Sequence, residues 1–177
     1  MSHYLTKTLC TMGLLSILMF SPNAFSQQQP GAASGEGVTT ESFQDWEVRC
    51  QRSAEGPSPC AMSQLITQPD SDQPLMQVIL DYPPQIDDPV MSFFVPLGVR
   101  LAAGLQLSVD NGEPVQFPYQ VCLEQGCRAD VPIEPSMLQQ LRSGSTATLS
   151  MIGPRGDRID LDISLIGFTD ASTRIAP

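Results

Sequence analysis

Four cysteines constrain this chain more than any other feature: Cys50, Cys60, Cys122 and Cys127. A fifth, Cys10, lies in an N-terminal segment that reads as removable. Met1 to Lys7 is a short polar start with one lysine. Thr8 to Phe20 is a run of 13 residues without charge, mostly apolar, and Pro22 and the small residues of Ala24-Phe25-Ser26 follow. This is the n-region, h-region and cleavage pattern of a secretory signal peptide, so residues 1–26 are expected to be cut away. The run is too short to span a bilayer, which needs about 20 apolar residues. No lipobox-like sequence precedes Cys10. The mature chain is therefore expected in the periplasm, at the outer membrane or secreted, with no transmembrane span.

Export decides how the cysteines read. An even number in an oxidising compartment indicates disulfides, and four allow three pairings. Sequence-local pairing gives Cys50–Cys60 and Cys122–Cys127, each across a hairpin, and each stabilising by roughly 2–3 kcal/mol through loop closure. A zinc site would want CxxC pairs or histidines, and neither is present.

Loss of the signal segment also removes Lys7 and His3, the one lysine and the one histidine of the sequence. What remains is eight arginines against nineteen acids. Such a surface repels nucleic acid and anionic lipid heads. Without histidine there is no Ser-His-Asp or Cys-His relay, and without lysine no Schiff base or P-loop lysine. The expectation is no enzyme: no catalytic residues, no cofactor and no metal. Only carboxylates remain for acid–base work.

Gln27 to Thr40 is rich in Gln, Gly, Ala and Ser and reads as a linker, so that residues 27–42 precede a domain over 43–172 and a tail over 173–177. From Phe43 on, apolar residues recur with period two, the mark of half-buried strands. Trp46, Val48 and Cys50 alternate with charged residues. So do Leu105, Leu107 and Val109 with polar ones, then Phe117, Tyr119 and Val121, then Ile159, Leu161, Ile163 and Leu165. Further strands are expected at Ala61–Thr67, Leu75–Asp81, Met91–Val95, Arg128–Pro132 and Thr146–Ile152. Asn111-Gly112 is a preferred pair for a type I′ turn. One helix is expected from Glu134-Pro135-Ser136, with Met137, Leu138 and Leu141 as its apolar stripe and Gly144 ending it in the left-handed conformation.

Several residues invite a functional reading. Asp157, Asp160 and Asp162 miss the EF-hand spacing, and two of them alternate outward from an apolar face, so they read as a solvated strand face. Asp87-Asp88 reads as loop charge. Trp46 is in phase with Val48 and Cys50 and reads as a core anchor. Arg49, Arg52, Arg155 and Arg158 are candidates for ionic contact with a partner. Phe93 and Phe94 must point to opposite faces of a strand, and only one can enter the core. The other, with Val95 and Leu97, forms a candidate partner-binding patch.

In order along the chain stand Phe43-x-Asp45-Trp46-x-Val48-x-Cys50, then Cys60 and Gln64, then Pro96-Leu97-Gly98-Val99 with Gly104-Leu105-x-Leu107-x-Val109-Asp110. Tyr119, Cys122 and Gly126-Cys127-x-Ala129 follow, and the end is Ile163-Ser164-Leu165-x-Gly167-Phe168-x-x-Ala171. With these residues the chain resembles the invasion-associated locus B family of exported Gram-negative bacterial proteins. One departure is that the family's aromatic before the third cysteine is spread over Phe117 and Tyr119. The resemblance implies an immunoglobulin-like antiparallel β-sandwich with one short helix and two disulfides. It also implies a periplasmic or outer-membrane location, and a part in host-cell association in pathogens that carry such proteins. It carries over no catalytic residue. The expected function is a non-enzymatic binding protein with an envelope or host protein as partner. Its rivals are a small-ligand carrier with an apolar pocket between the sheets and a carboxylate-dependent envelope hydrolase.

Overall fold

The structure is a computed structural model that describes residues 37–52 and 59–177. The expected signal segment and most of the linker lie outside the described residues. Eleven strands form among them: β1 Val38–Phe43, β2 Trp46–Gln51, β3 Cys60–Thr67, β4 Pro74–Asp81, β5 Val90–Val95, β6 Leu105–Val109, β7 Val115–Phe117, β8 Val121–Leu123, β9 Gly126–Pro132, β10 Thr146–Ile152 and β11 Arg158–Ser164. Two helices accompany them, α1 Pro135–Ser143 and α2 Phe168–Ile175. A seven-stranded sheet runs in the order β1-β2-β3-β4-β5-β9-β8, and a four-stranded sheet in the order β11-β10-β6-β7. Every pairing is antiparallel. The two-sheet sandwich is the architecture that the alternating pattern predicts.

That alternation now has a physical meaning. Val48, Met62, Leu80 and Met91 are register partners in succession across β2 to β5, and all four are buried. Leu105, Leu107, Leu149 and Ile163 are among the buried residues of the smaller sheet. Each such side chain contributes about 1.5–3 kcal/mol by leaving water. Both disulfides take the sequence-local pairing, Cys50–Cys60 and Cys122–Cys127. In each, the two cysteines are direct partners on neighbouring strands.

Four local expectations are corrected. First, residues before Phe43 are already part of the sheet, because Val38–Phe43 is a strand paired along its length with β2. It has no apolar alternation, since main-chain pairing rather than burial holds it. Second, Phe117 and Val121 belong to different strands in different sheets. Pro118 has no N–H for a ladder, and the chain crosses between the sheets at Pro118–Gln120. Third, the turn after β6 sits one residue earlier than Asn111-Gly112. Asp110 and Asn111 have φ of 45° and 61°, and Gly112 N–H donates to Val109 O at 2.7 Å. Asp110 then accepts from the N–H groups of Ser145 and Thr146, which orders the start of β10. Fourth, α1 forms where expected, but Gly144 is extended at φ −80°. A Cβ at Gly144 would stand 2.5 Å from Val109 Cγ1, so close approach explains the glycine, not a left-handed turn.

The second helix, α2, occupies much of what reads as a tail. Phe168, Ala171, Ser172 and Ile175 are buried at helical spacing. Eight residues are marginal as an isolated helix, so docking must hold them. Arg142 Nε donates to Ser172 Oγ at 3.0 Å, and Thr169 Oγ1 donates to Arg142 O at 2.8 Å.

Candidate interaction surface

Asp45, Trp46, Gln64, Ser164 and Phe168, five of the residues that carry the resemblance, meet at one end of the sandwich. The β1–β2 hairpin turns through Gln44 and Asp45, and presents Trp46 to the core. The Trp46 indole is buried and meets the Phe168 ring edge-on at 5.2 Å. Its Nε1–H donates to Ser164 O at 2.9 Å. Gln64 is also buried, and its Nε2 donates to both Asp45 O and Ser164 O at 3.1 Å. The Gln64 Oε1 accepts from Ser164 N–H at 3.0 Å. Finally, Ser164 Oγ donates to Asp45 Oδ2 at 2.5 Å. The last residue of β11 is thus tied to the larger sheet through its carbonyl, its amide and its hydroxyl.

A groove of about 740 Å³ opens beside this clamp, lined by Asp45, Gln64, Ser145, Asp162 and Ser164 among others. Its polar groups are engaged with one another rather than poised for chemistry. Asp162 accepts from Thr148 Oγ1 at 2.9 Å, and Asp45 is occupied by Ser164. Asp160 lies beyond the groove and pairs with Arg158 at 2.8 Å. Hydrogen bonding from Ser150, then from Arg158, holds its carboxyl below the ordinary value. Among the described residues, no three histidine, cysteine or acidic side chains gather as metal ligands would. Tyr119, at the crossing between sheets, has a buried hydroxyl without a hydrogen-bond partner among the described residues, and burial raises its pKa.

The other concentration of unusual residues is on the outer face of the larger sheet. Phe93 is 0% exposed and Phe94 is 39% exposed, so Phe94 is the ring left outside. Phe94 pairs with Gln77 on β4 and Arg128 on β9; Gln77 pairs in turn with Leu65 on β3, and Arg128 with Val121 on β8. One straight row therefore crosses five strands: Leu65, Gln77, Phe94, Arg128, Val121. Leu65, Val121 and Leu123 are exposed along with Phe94. The Arg128 guanidinium lies over the Phe94 ring at 5.7 Å, and its Nε donates to Asp130 at 2.8 Å. A groove of about 440 Å³ runs along the row between Gln77 and Leu123.

The candidate patch of Phe94, Val95 and Leu97 is thus only partly assembled. Val95 is 2% exposed and belongs to the core, because it shares the inward face of β5 with Phe93. Leu97 is exposed in the loop after β5, and Phe94 is central. Leu65, Val121 and Leu123 join the face from other strands. No pattern within a single strand signals that, because cross-strand register brings them together. Of the arginines singled out, Arg49 and Arg158 sit in exposed pairs with Glu47 and Asp160. Such pairs contribute little. Arg128 and Arg174 are the ones that shape a surface.

These features define a class: a disulfide-bonded, two-sheet antiparallel β-sandwich whose signature residues hold its sheets together and whose unexplained residues lie on a sheet face. The chain belongs to the invasion associated locus B (IalB) protein family, whose sequence model matches residues 46–176. Two relatives, each named invasion protein B homolog, come from Brucella abortus strain 2308 and from Brucella abortus biovar 1 strain 9-941. Each is 30% identical to this chain over 159 residues, covering 88% of this chain and 87% of the relative. The crystal structure of invasion associated protein B from Bartonella henselae superposes with a TM-score of 0.68 at 22% identity. The superposition covers 77% of this chain and 94% of that one, and it is a likeness of fold.

Proposed function

We propose that this protein is exported to the cell envelope and works without catalysis, by holding a partner protein on the outer face of its larger sheet. The observation that carries this reading is the row Leu65–Gln77–Phe94–Arg128–Val121. Outward sheet residues are ordinarily polar, and exposed apolar side chains scattered singly need no explanation. Here they are aligned, flank a groove and surround one arginine. Nε of that arginine is already taken by Asp130, and its other N–H groups make no hydrogen bond among the described residues. A protein whose apolar side chains bracket an acceptor group fits that arrangement.

Export is supported by the signal-like start of the sequence and by the two disulfides. The Brucella relatives and the Bartonella structure carry invasion in their names, which supports placing the partner in host-cell association. The absence of histidine and lysine beyond residue 7 supports a role without catalysis. The test is cross-linking and pull-down in the protein's own cell envelope, comparing wild type with a Phe94→Ser, Val121→Ser double variant. A specific protein captured by wild type and lost with the folded variant supports the reading. Undiminished capture by the variant would sink the face, and hydrolytic turnover abolished by one carboxylate substitution would sink the non-catalytic role.

A further inference from the structure

Every open sheet has edges, and natural sheets guard them with short strands, prolines, bulges or charge. Among the described residues the two sheets have four edge strands: β1, β8, β7 and β11. Three are guarded. β8 is three residues long and is tied down by the Cys122–Cys127 disulfide. β7 is three residues long and lies between Pro114 and Pro118. β11 is longer, but it carries Asp160 and Asp162 on its exposed face. Two-fold pairing centred on Leu161 would set Asp160 opposite the partner's Asp162.

β1 carries no such guard. Its sequence is Val-Thr-Thr-Glu-Ser-Phe, six residues without proline, lysine or a register break. The side chains that favour strands, Val38, Thr39 and Thr40, are exposed. Its one charge, Glu41, is neutralised from behind. Arg174 on α2 reaches it with Nη2 at 2.7 Å and Nε at 3.0 Å. This clasp, with the packing of α2 against β1, ties the strand to the body of the domain.

The direction of its free groups follows from the ladder. Phe43 and Trp46 flank a two-residue turn, and at the other end Arg52 N–H donates to Gly37 O. Hydrogen-bonded pairs alternate in an antiparallel ladder, so Gly37, Thr39, Glu41 and Phe43 face β2. Val38, Thr40 and Ser42 therefore point their amides and carbonyls away from the sheet, without a partner among the described residues.

We infer that β1 is a self-docking edge, through which two copies of this chain pair antiparallel with Thr40 on the two-fold axis. In that register the free groups of Val38, Thr40 and Ser42 meet those of the partner's Ser42, Thr40 and Val38. Glu41 falls opposite the partner's Thr39, so no like charges stand directly opposed. Threonine opposite threonine at the axis is a favourable cross-strand pair. The closed two-fold operation uses up both edges and does not propagate. Repulsion between two chains of net negative charge is screened beyond about 8 Å at physiological salt. The joined sheets put two copies of the Phe94 row on one continuous surface, so a partner with repeated sites is held bivalently. The inference stands on β1 alone and does not need that row to bind anything.

Sedimentation velocity and native mass spectrometry of the mature protein, over a range of concentrations, test it. Wild type is expected to double its mass as concentration rises. Thr40→Pro removes only an outward N–H, which an edge strand tolerates. It should stay monomeric with an unchanged circular dichroism spectrum and melting temperature. Should that variant misfold, Thr40→Lys adds a guard charge without touching the ladder and should be monomeric too. Thr40→Cys should link two copies into one covalent dimer on mild oxidation. A wild type that remains monomeric throughout overturns the inference. So does a dimer that survives both Thr40→Pro and Thr40→Lys, or one that dissociates on Phe94→Ser instead.

Discussion

The indole of Trp46 donates to the carbonyl of Ser164 at 2.9 Å, across 118 residues of sequence. This bond and the Gln64 amide join the β1–β2 hairpin to the last strand. They close one end of the sandwich with buried polar groups that satisfy each other. Backbone groups at a strand end inside a protein must be paired or remain costly. The Asp-Trp, Gln and Ser positions that carry the family resemblance are accounted for by that requirement.

Gln64→Leu follows directly. The substitution keeps the bulk but leaves the Ser164 N–H buried without its partner. It should destabilise by about 1–3 kcal/mol, the range for a buried group left unmade. Ser164→Ala loses two exposed contacts of the hydroxyl, the bond it donates to Asp45 and the one it accepts from Ile166 N–H, and should cost about 0.5–1.5 kcal/mol. Urea unfolding midpoints of the two variants, at unchanged slope, measure the difference. Equal losses would show that the buried amide is not what matters.

Gly167→Ala tests the other half of this junction. Gly167 has φ +87°, and a Cβ there would stand 2.1 Å from Phe43 O. The clash is with backbone of the β1–β2 hairpin and cannot be relieved by a rotamer. Left-handed backbone strain alone is of order 1–3 kcal/mol, and the clash adds to it. Thermal melting should show a large loss for this variant. Gly98→Ala, also at positive φ but with nothing within 4 Å, should lose only the strain.

Much of this was legible in the sequence, for stated physical reasons. Trp46, Val48 and Cys50 announce an inward face because period two is the geometry of a strand. Cys50–Cys60 and Cys122–Cys127 follow from proximity across hairpins. Strand parity also separates Phe93 from Phe94, and the same parity assigns Val95 to the core, against its grouping with Phe94 by mere adjacency. The row that includes Leu65 and Val121 was not legible, because register between strands is set by the whole sheet. β1 was hidden because pairing, not burial, defines it. α2 was hidden because one of its four buried positions is Ser172, which breaks the apolar pattern.

The outer face also predicts a pH dependence. Asp81 lies on it at the end of β4, and desolvation raises its pKa above the ordinary 3.8; Arg128 opposes that shift and Asp130 adds to it. A carboxyl with a raised folded-state pKa is held ionised at a penalty near neutrality. The penalty is relieved as pH falls through the folded pKa, because the folded state then binds the proton more tightly than the unfolded chain. Asp81→Asn should therefore melt higher than wild type at neutral pH. The gap should close as pH approaches 3.8. A gap independent of pH would assign the gain to something other than the charge.

Phe93 and Phe94 are adjacent, chemically identical and placed on opposite faces of one strand. Phe93 is fully buried and packs against Phe117 with ring centroids 5.5 Å apart. Phe94 keeps 39% of its surface and touches Arg128. Phe93→Ala should cost about 3–5 kcal/mol, the range for emptying an aromatic site in a core. Phe94→Ala loses partial burial and one exposed cation–π contact, worth about 0.5–1 kcal/mol. Denaturant unfolding of the two variants should therefore separate them by a factor of several in free energy. The same Phe94→Ala protein, still folded, should lose partner capture while keeping its sheets. Equal stability losses would mean that Phe94 is held as core, and the outer face would then have no claim to be an interaction surface.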